Sequence, residues 1–118
     1  YKNNPEELKK REKMWARDPE TAYYYAREVL HGPFKLGEPT IAKDTGISYL
    51  YANYILHASF PLGEPAIAKD AQYSYWYAED VLKARFRLGE PAILKDKFYS
   101  EDYKFMLKKW DERHKVKK

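Results

Sequence analysis

Residues 70–95 read Asp70-Ala-Gln-Tyr-Ser-Tyr-Trp-Tyr-Ala-Glu-Asp-Val-Leu-Lys-Ala-Arg-Phe-Arg-Leu-Gly-Glu-Pro-Ala-Ile-Leu-Lys95, and this stretch decides the fold. Similar copies open at Asp18 and Asp44, and a shorter copy opens at Asp96, always at a period of 26 residues. Similarity at a fixed period within one chain is the signature of stacked structural repeats, in which each unit rests on its neighbours. The three full copies are 18–43, 44–69 and 70–95.

The first half of each repeat predicts a long helix. In the first copy Asp18 suits the N-cap, Pro19 the first helical position and Glu20 the positive end of the helix dipole. Small and apolar residues then recur at i, i+4, i+7 and i+8, which is one face of a 3.6-residue period. In the third copy these are Ser74, Ala78, Val81 and Leu82. The expected long helices lie near 19–31, 45–57, 71–84 and 97–113.

The second half of each repeat predicts a turn and a short helix. Gly-Glu-Pro is expected to break the long helix, because Pro cannot continue a helix but can open the next one. Between Pro65 and Lys69 there is room for little more than one helical turn. The predicted fold is therefore all-α, a short α-solenoid of tandem 26-residue repeats with polar helical caps.

Both ends of the chain depart from the pattern as capping units do. Residues 1–17 predict an N-terminal capping helix, in which Trp15 aligns with Ile41 and is expected to fill the same pocket. Residues 96–118 predict a degenerate fourth repeat that lacks Gly-Glu-Pro, so its helix should continue through Trp110. Polar outer faces at both ends would keep the array soluble.

Tyrosine dominates the aromatic residues, with 12 Tyr against 5 Phe and 3 Trp. A solenoid this short has a thin core, and Tyr suits it because the ring packs while the hydroxyl reaches a polar partner. An alternative is that the Tyr columns form exposed platforms that stack nucleic-acid bases. The two Tyr columns comprise Tyr23, Tyr49 and Tyr75, and Tyr25, Tyr51, Tyr77 and Tyr103.

Composition excludes several function classes. The chain has no Cys, so it has neither a disulfide nor a thiolate metal site, and no apolar run approaches the roughly 18 residues of a membrane span. The net charge of +4 lies at the ends, since 1–17 and 96–118 each carry +3 and the repeats together carry −2. We therefore expect no membrane association and a cytoplasmic location.

The recurring ionisable residues favour structural roles over catalysis. His31 and His57 share a column with Lys83, which indicates a solvated helix end, and helices packed roughly 8–10 Å apart are too distant for both to bind one ion. The recurring Asp and Glu residues are expected to be N-caps, or acceptors for Tyr hydroxyls and lysines. No Walker loop, GxGxxG, GxSxG or HExxH motif occurs, so neither enzyme activity nor a cofactor is expected.

The columns that vary between repeats carry the functional hypothesis, because repeats keep a core and vary a surface. Tyr24, Leu50 and Trp76 share one variable column, and Tyr54 lies in another. Tyr24, Leu50 and Trp76 predict an exposed aromatic ridge, and together with Tyr54 they are the candidate binding residues. The alternative is that they cover the short helix of the neighbouring repeat.

The strings Asp-x-x-x-Ser-Tyr-x-Tyr-Ala-x-x-Val-Leu and Phe-x-Leu-Gly-Glu-Pro-Ala-Ile-Ala-Lys resemble a Tyr-rich repeat of tailed-phage proteins whose function is uncharacterised. The resemblance covers about residues 15–107 and implies a location in the cytoplasm of the host cell. The alternation of long and short helices is loosely similar to leucine-rich-variant and HEAT-like repeats.

Three functions are compatible with these observations. The first is a scaffold for protein–protein interaction, in which a phage factor engages a host or virion protein. The second is nucleic-acid binding through the basic ends, and the third is capture of a small aromatic or nucleotide ligand in the repeat groove. The candidate nucleic-acid contacts are Lys9, Lys10, Arg11, Lys13, Lys108, Lys109, Arg113 and Lys115.

Overall fold

The computed structural model describes residues 4–116, and side chains for 4–112, and every element in that range is helical. One unit recurs along the chain: a long helix, a single 3-10 turn and a short helix. The predicted all-α solenoid is confirmed. The molecule measures 55 × 31 × 17 Å, and its radius of gyration of 17.0 Å exceeds the roughly 13–14 Å of a compact domain of this length.

The elements follow the repeat boundaries. The capping helix α1 spans Pro5–Trp15 and the last helix α8 spans Tyr99–Val116. Each long helix begins as an α-helix and finishes as a π-helix. The α-helical parts are α2 (Pro19–Tyr24), α4 (Thr45–Leu50) and α6 (Ala71–Trp76), continued by the π-helical parts Tyr25–Leu30, Tyr51–Leu56 and Tyr77–Leu82. The 3-10 turns are Lys35–Gly37, Pro61–Gly63 and Arg87–Gly89, followed by the short helices α3 (Glu38–Ile41), α5 (Glu64–Ile67) and α7 (Glu90–Lys95).

Asp side chains cap most of the long helices, as predicted. The Asp18 carboxylate accepts the Thr21 N–H at 2.9 Å, and the Asp44 carboxylate accepts the Ile47 N–H at 2.8 Å. Asp96 accepts the Tyr99 N–H at 3.0 Å at the start of α8. Within the described range, Asp70 makes no such bond to α6.

The long helices end close to the predicted positions, but the Gly-Glu-Pro motif is not what ends them, which corrects one sequence expectation. Each ends at a residue in the left-handed conformation, with φ of 51° at His31, 52° at His57 and 51° at Lys83. The left-handed residue reverses the chain direction, as at many helix C-termini. Gly-Glu-Pro instead opens the short helix, with Pro in its first turn.

The π-helical segments were not predicted. A π-helix hydrogen-bonds i to i+5 and therefore has more residues per turn than an α-helix. The alanines at i+4 are fully buried in all three repeats, whereas the residues at i+7 and i+8 are not. In the first repeat Val29 and Leu30 are exposed, whereas their counterparts in the next two repeats are half-buried.

A tyrosine hydroxyl links each repeat to the one before it. The Tyr77 hydroxyl donates to the Glu64 carboxylate at 2.6 Å and accepts the Phe60 N–H at 2.8 Å. Tyr77 is fully buried, whereas Glu64 is half-buried. The same pair of bonds recurs at Tyr51 with Glu38 and Phe34, and at Tyr103 with Glu90 and Phe86. The expectation that the recurring Glu residues accept from Tyr hydroxyls is confirmed.

The N-terminal cap provides the carboxylate of a corresponding link. Tyr25 donates to Glu12 at 2.5 Å, so α1 supplies the carboxylate that a short helix supplies elsewhere. The Trp15 ring lies 4.8 Å from the Tyr25 ring and packs against the core. The capping helix therefore completes the first junction.

Small residues allow the repeats to approach closely. Ser48 and Ser74 are fully buried, and the Ser48 hydroxyl donates to the Ile41 carbonyl of the preceding repeat at 2.9 Å. A Cβ atom on Gly63 would lie 2.6 Å from the Ser48 Oγ and 2.7 Å from the Phe60 ring. The glycine before Glu-Pro is therefore required by a close approach, because its φ of −92° is accessible to any residue.

The close approach predicts that Gly63→Ala destabilises the protein. The added methyl group would overlap the Ser48 hydroxyl and the Phe60 ring, and we expect a loss of about 1–3 kcal/mol in the free energy of unfolding. Denaturant titration followed by circular dichroism measures this loss. The matched control is Gly32→Ala, since the nearest atom to a Cβ there is 3.9 Å away, and we expect a change within about 0.5 kcal/mol. Equal stabilities of the two variants would contradict the packing at Gly63.

Candidate functional site

The structure divides the predicted ridge into exposed and half-buried residues. Tyr24 and Tyr54 are exposed, with 51% and 57% of their surface accessible. Leu50 and Trp76 are half-buried and pack against the core. Two of the four candidate binding residues therefore expose more than half of their surface to solvent, and the other two are only partly exposed.

Trp76 joins two repeats on the long-helix side of the molecule. Its ring centroid lies 5.9 Å from Tyr49 in the preceding repeat and 5.5 Å from Tyr73 in its own. Tyr49 and Tyr73 also pack against each other at 5.7 Å. Trp76 thus covers the neighbouring long helix α4, whereas the alternative sequence interpretation placed it over a short helix.

The two exposed tyrosines adjoin the same cluster. The Tyr24 ring packs edge-on against Tyr23 at 5.4 Å. Burial raises the pKa of both Tyr23 and Tyr49, and the nearby Tyr54 phenol adds to both shifts. Ring contacts thus join Tyr23 to Tyr24 in the first repeat, and Tyr49 to Tyr73 and Trp76 across the second and third repeats. We call these rings, together with Tyr54, the aromatic face, which comprises Tyr23, Tyr24, Tyr49, Tyr54, Tyr73 and Trp76.

Polar groups border the aromatic face. The Tyr49 hydroxyl donates to the Asp80 carboxylate at 2.6 Å and accepts from the Asn53 amide at 3.4 Å. The Tyr75 hydroxyl donates to the Glu79 carboxylate at 3.1 Å. Burial, reinforced by Glu79, raises the pKa of Tyr75 to about 12. The arrangement can bury rings against a partner while its hydroxyls and exposed carboxylates make directional hydrogen bonds.

Sequence reasoning missed Tyr73 and Asp80, the two residues that hold Tyr49 in place. A signal was present in the spacing of aromatic residues. Tyr49 packs on Tyr73, and 26 residues further along Tyr75 packs on Tyr99 at 5.5 Å. The common separation of 24 residues marks a contact between successive repeats.

The candidate nucleic-acid contacts lie at the two ends of the solenoid. On α1, Lys9, Lys10 and Lys13 are exposed, and Arg11 lies 3.3 Å from Glu7. On α8, Lys108 and Lys109 are exposed, and the Lys109 ammonium lies 4.6 Å from the centre of the Phe105 ring. The structure does not bring these two groups together. The side chains of Arg113 and Lys115 lie outside the described residues.

An open cleft of about 490 Å³ lies between the short-helix sides of the second and third repeats. Alanine and proline side chains line it together with Lys69, Lys95 and Asp96. The cleft occupies the place where the third sequence hypothesis put a small ligand. Its lining contains no aromatic ring that would stack on a nucleobase.

The histidines lie apart from one another. His31 and His57 are exposed at the ends of successive long helices, and His114 is outside the described side chains. Across residues 4–112, no three His, Asp or Glu side chains are placed to hold a metal ion. Among the described helices, none combines the length and the apolar character needed to cross a membrane.

Comparison of the chain with protein-family models, with curated proteins and with solved structures gives no match. The geometry of the described residues is therefore the basis for inferring what the protein does.

The buried hydroxyls predict alkaline unfolding. Burial raises the pKa of Tyr51, Tyr77 and Tyr103, in the last case to about 12. The folded state holds these protons more tightly than the unfolded chain, where the pKa of Tyr is about 10. Their stabilising effect is therefore intact below pH ~10, and it is lost as the pH rises from there through the folded-state pKa values.

Denaturant titrations at increasing pH, combined with tyrosinate absorbance, measure this effect. We expect the free energy of unfolding to fall above pH ~10, and to fall less steeply in Tyr103→Phe, which removes one of the three groups. Ionisation of every tyrosine near pH 10 in a protein that is still folded would contradict the burial of these hydroxyls.

Proposed function

We propose that this chain is a non-enzymatic repeat scaffold that binds a protein partner through the aromatic face. The observation that carries the proposal is the cluster of rings spanning three repeats, with Tyr24 and Tyr54 exposed at its surface. Tyr and Trp are enriched at protein interfaces, and they supply many of the residues whose truncation costs most binding energy.

The rings of the aromatic face are pre-positioned for binding. Trp76 packs on two tyrosines, and Tyr49 is tied to Asp80 by a 2.6 Å hydrogen bond. Side chains that are already ordered lose little conformational entropy when a partner covers them. The exposed polar groups around the rings would provide the solvated rim that surrounds the centre of most interfaces.

The charge beside the rings favours a protein over a nucleic acid. The exposed carboxylate of Asp80 accepts a hydrogen bond from Tyr49 of the aromatic face, and the exposed carboxylate of Glu79 accepts one from the bordering Tyr75. A phosphate backbone laid across the rings would approach these negative charges, whereas nucleic-acid binding depends on neutralising phosphates with cations. A partner protein with Arg, Lys or amide groups would complement the same surface.

Nucleic-acid binding through the basic ends is the second candidate. The observation that favours it is the pair of exposed lysine groups, with Lys9, Lys10 and Lys13 at one end and Lys108 and Lys109 at the other. Fluorescence anisotropy with labelled DNA and RNA at two salt concentrations tests it. Binding that weakens steeply with salt would support this candidate, and no binding at low salt would exclude it.

The proposed identity of the partner as a host or virion protein, and the proposed location in a host cell, rest on the resemblance to Tyr-rich repeats of tailed-phage proteins. The proposal for the aromatic face stands independently of that resemblance. It depends only on which side chains the fold exposes and orders.

Ligands selected from a displayed library of small proteins test the aromatic face. The double variant Tyr24→Ala/Tyr54→Ala removes its two exposed rings, and we expect affinity for most selected ligands to fall on the order of 100-fold. The matched control is Leu36→Ala/Leu62→Ala. Leu36 and Leu62 lie in the same two repeats as the tyrosines and have similar exposures, 52% and 55%, but stand outside the aromatic face.

We expect the control variant to bind within about threefold of the parent protein, a change of less than 1 kcal/mol. Circular dichroism verifies that both variants remain folded. Ligands that bind the tyrosine variant as tightly as the parent protein would contradict the proposal, and greater loss in the leucine variant would move the binding surface to the 3-10 turns.

A further inference from the structure

The outward face of α8 exposes two phenylalanines. Phe98, just before the helix, is 82% exposed, and Phe105 is 61% exposed. The two are seven residues apart and therefore lie on one side of the helix. The opposite side carries the buried Tyr103 and Met106, which pack against the preceding repeats. The last helix thus has a second apolar stripe directed away from the solenoid.

The beginning of the exposed stripe lies in columns that face the next repeat elsewhere in the chain. Phe98 occupies the column of Gly46, where a Cβ atom would lie 3.2 Å from the Tyr73 hydroxyl of the following repeat. Glu101 occupies the column of Tyr49, whose ring packs on Tyr73 and Trp76. The start of the outward face of α8 therefore continues the repeat-to-repeat interface, whereas Phe105 shares its column with Asn53 and Glu79, which bond to tyrosines of their own repeats.

Charged residues flank Phe105 in a self-complementary order. Glu101 and Asp102 precede it by four and three residues, and Lys108 and Lys109 follow it by three and four. All four are exposed and lie on the same side of the helix as Phe105. If the helix is reversed end for end about Phe105, each acidic residue takes the position of a basic one, and each basic residue takes the position of an acidic one.

We propose that two copies of this chain associate through the outward faces of α8, antiparallel and centred on Phe105. A twofold axis makes each contact occur twice, so Glu101 meets the second copy's Lys109 and Asp102 meets its Lys108. The two Phe105 rings meet on the axis. A parallel arrangement would place like charges opposite each other.

This association stops at a dimer, because the contact surface of each copy is then occupied. An isologous contact uses the same surface on both partners, whereas a head-to-tail contact would continue into a filament. The existing ion pair of this face does not compete, because Lys104 and Glu101 are 3.8 Å apart and both exposed, a geometry that contributes little. The aromatic face remains free for a separate partner, because its residues lie on the long helices of the first three repeats.

Sedimentation equilibrium over a wide concentration range tests the dimer. We expect the molar mass to rise to twice the 14.1 kDa of one chain and to remain there. Phe105→Lys should remain at the monomer mass with unchanged helical circular dichroism, and the matched surface variant Leu36→Lys should still dimerise. A parent protein that stays monomeric, grows beyond two copies, or dimerises equally after Phe105→Lys would overturn the proposal.

Charge reversal tests the pairing. The variant Glu101→Lys/Asp102→Lys and the variant Lys108→Glu/Lys109→Glu should each be monomeric, and an equimolar mixture of the two should recover the dimer mass. Because the chain has no Cys, introduced cysteines report the orientation. Copies with Glu101→Cys should crosslink to copies with Lys109→Cys and not to themselves. Failure of the mixture to associate, or preferential Glu101→Cys self-crosslinking, would refute the antiparallel arrangement.

Discussion

A tyrosine hydroxyl that crosses each junction between repeats is the constraint on which the other features of this solenoid depend. The buried Phe60 N–H donates a hydrogen bond to the Tyr77 hydroxyl, which in turn donates one to the Glu64 carboxylate. A buried N–H without an acceptor costs about 1–3 kcal/mol, so the tyrosine cannot be replaced by an apolar ring without loss. Because the acceptor carboxylate lies thirteen residues before its tyrosine, half of the 26-residue period, successive repeats stay in register.

The remaining packing follows from the position of this hydroxyl. It draws the long helix of one repeat toward the 3-10 turn and short helix of the repeat before it. Within each repeat the 3-10 turn also lies close to the long helix, and a glycine there faces a small residue, Ala22, Ser48 or Ser74, which explains the Gly column. Tyr23 and Tyr49 are buried as well, and Tyr24 and Tyr54 remain exposed beside them. The hydrogen bonds that stabilise the junctions and the candidate binding surface thus both depend on the high tyrosine content of the chain.

The sequence predicts the repeat array well, because each structural position recurs in several copies and because helix caps depend only on residues close by in the chain. Long-helix boundaries, the Asp18 cap and the Tyr–Glu pairing all follow from column identity. The π-helical turns could not be predicted, because the apolar columns were read with the 3.6-residue period of an α-helix. Glu12 was missed as a member of the Glu column because α1 lacks the surrounding Gly-Glu-Pro. Trp76 was misplaced because its partner, Tyr49, is distant in sequence and close only after stacking.

A double-mutant cycle at one junction tests the central claim most directly. The free energies of unfolding of the parent protein, Tyr77→Phe, Glu64→Ala and the double variant give the coupling between the hydroxyl and the carboxylate. Tyr77 is buried and the acceptor is a carboxylate, so we expect a coupling free energy of about 1–2 kcal/mol between the two groups. We expect Tyr77→Phe alone to lower the free energy of unfolding by about 1–3 kcal/mol. Effects that add to within about 0.3–0.5 kcal/mol would mean that the cross-repeat hydrogen bond does not hold the array together.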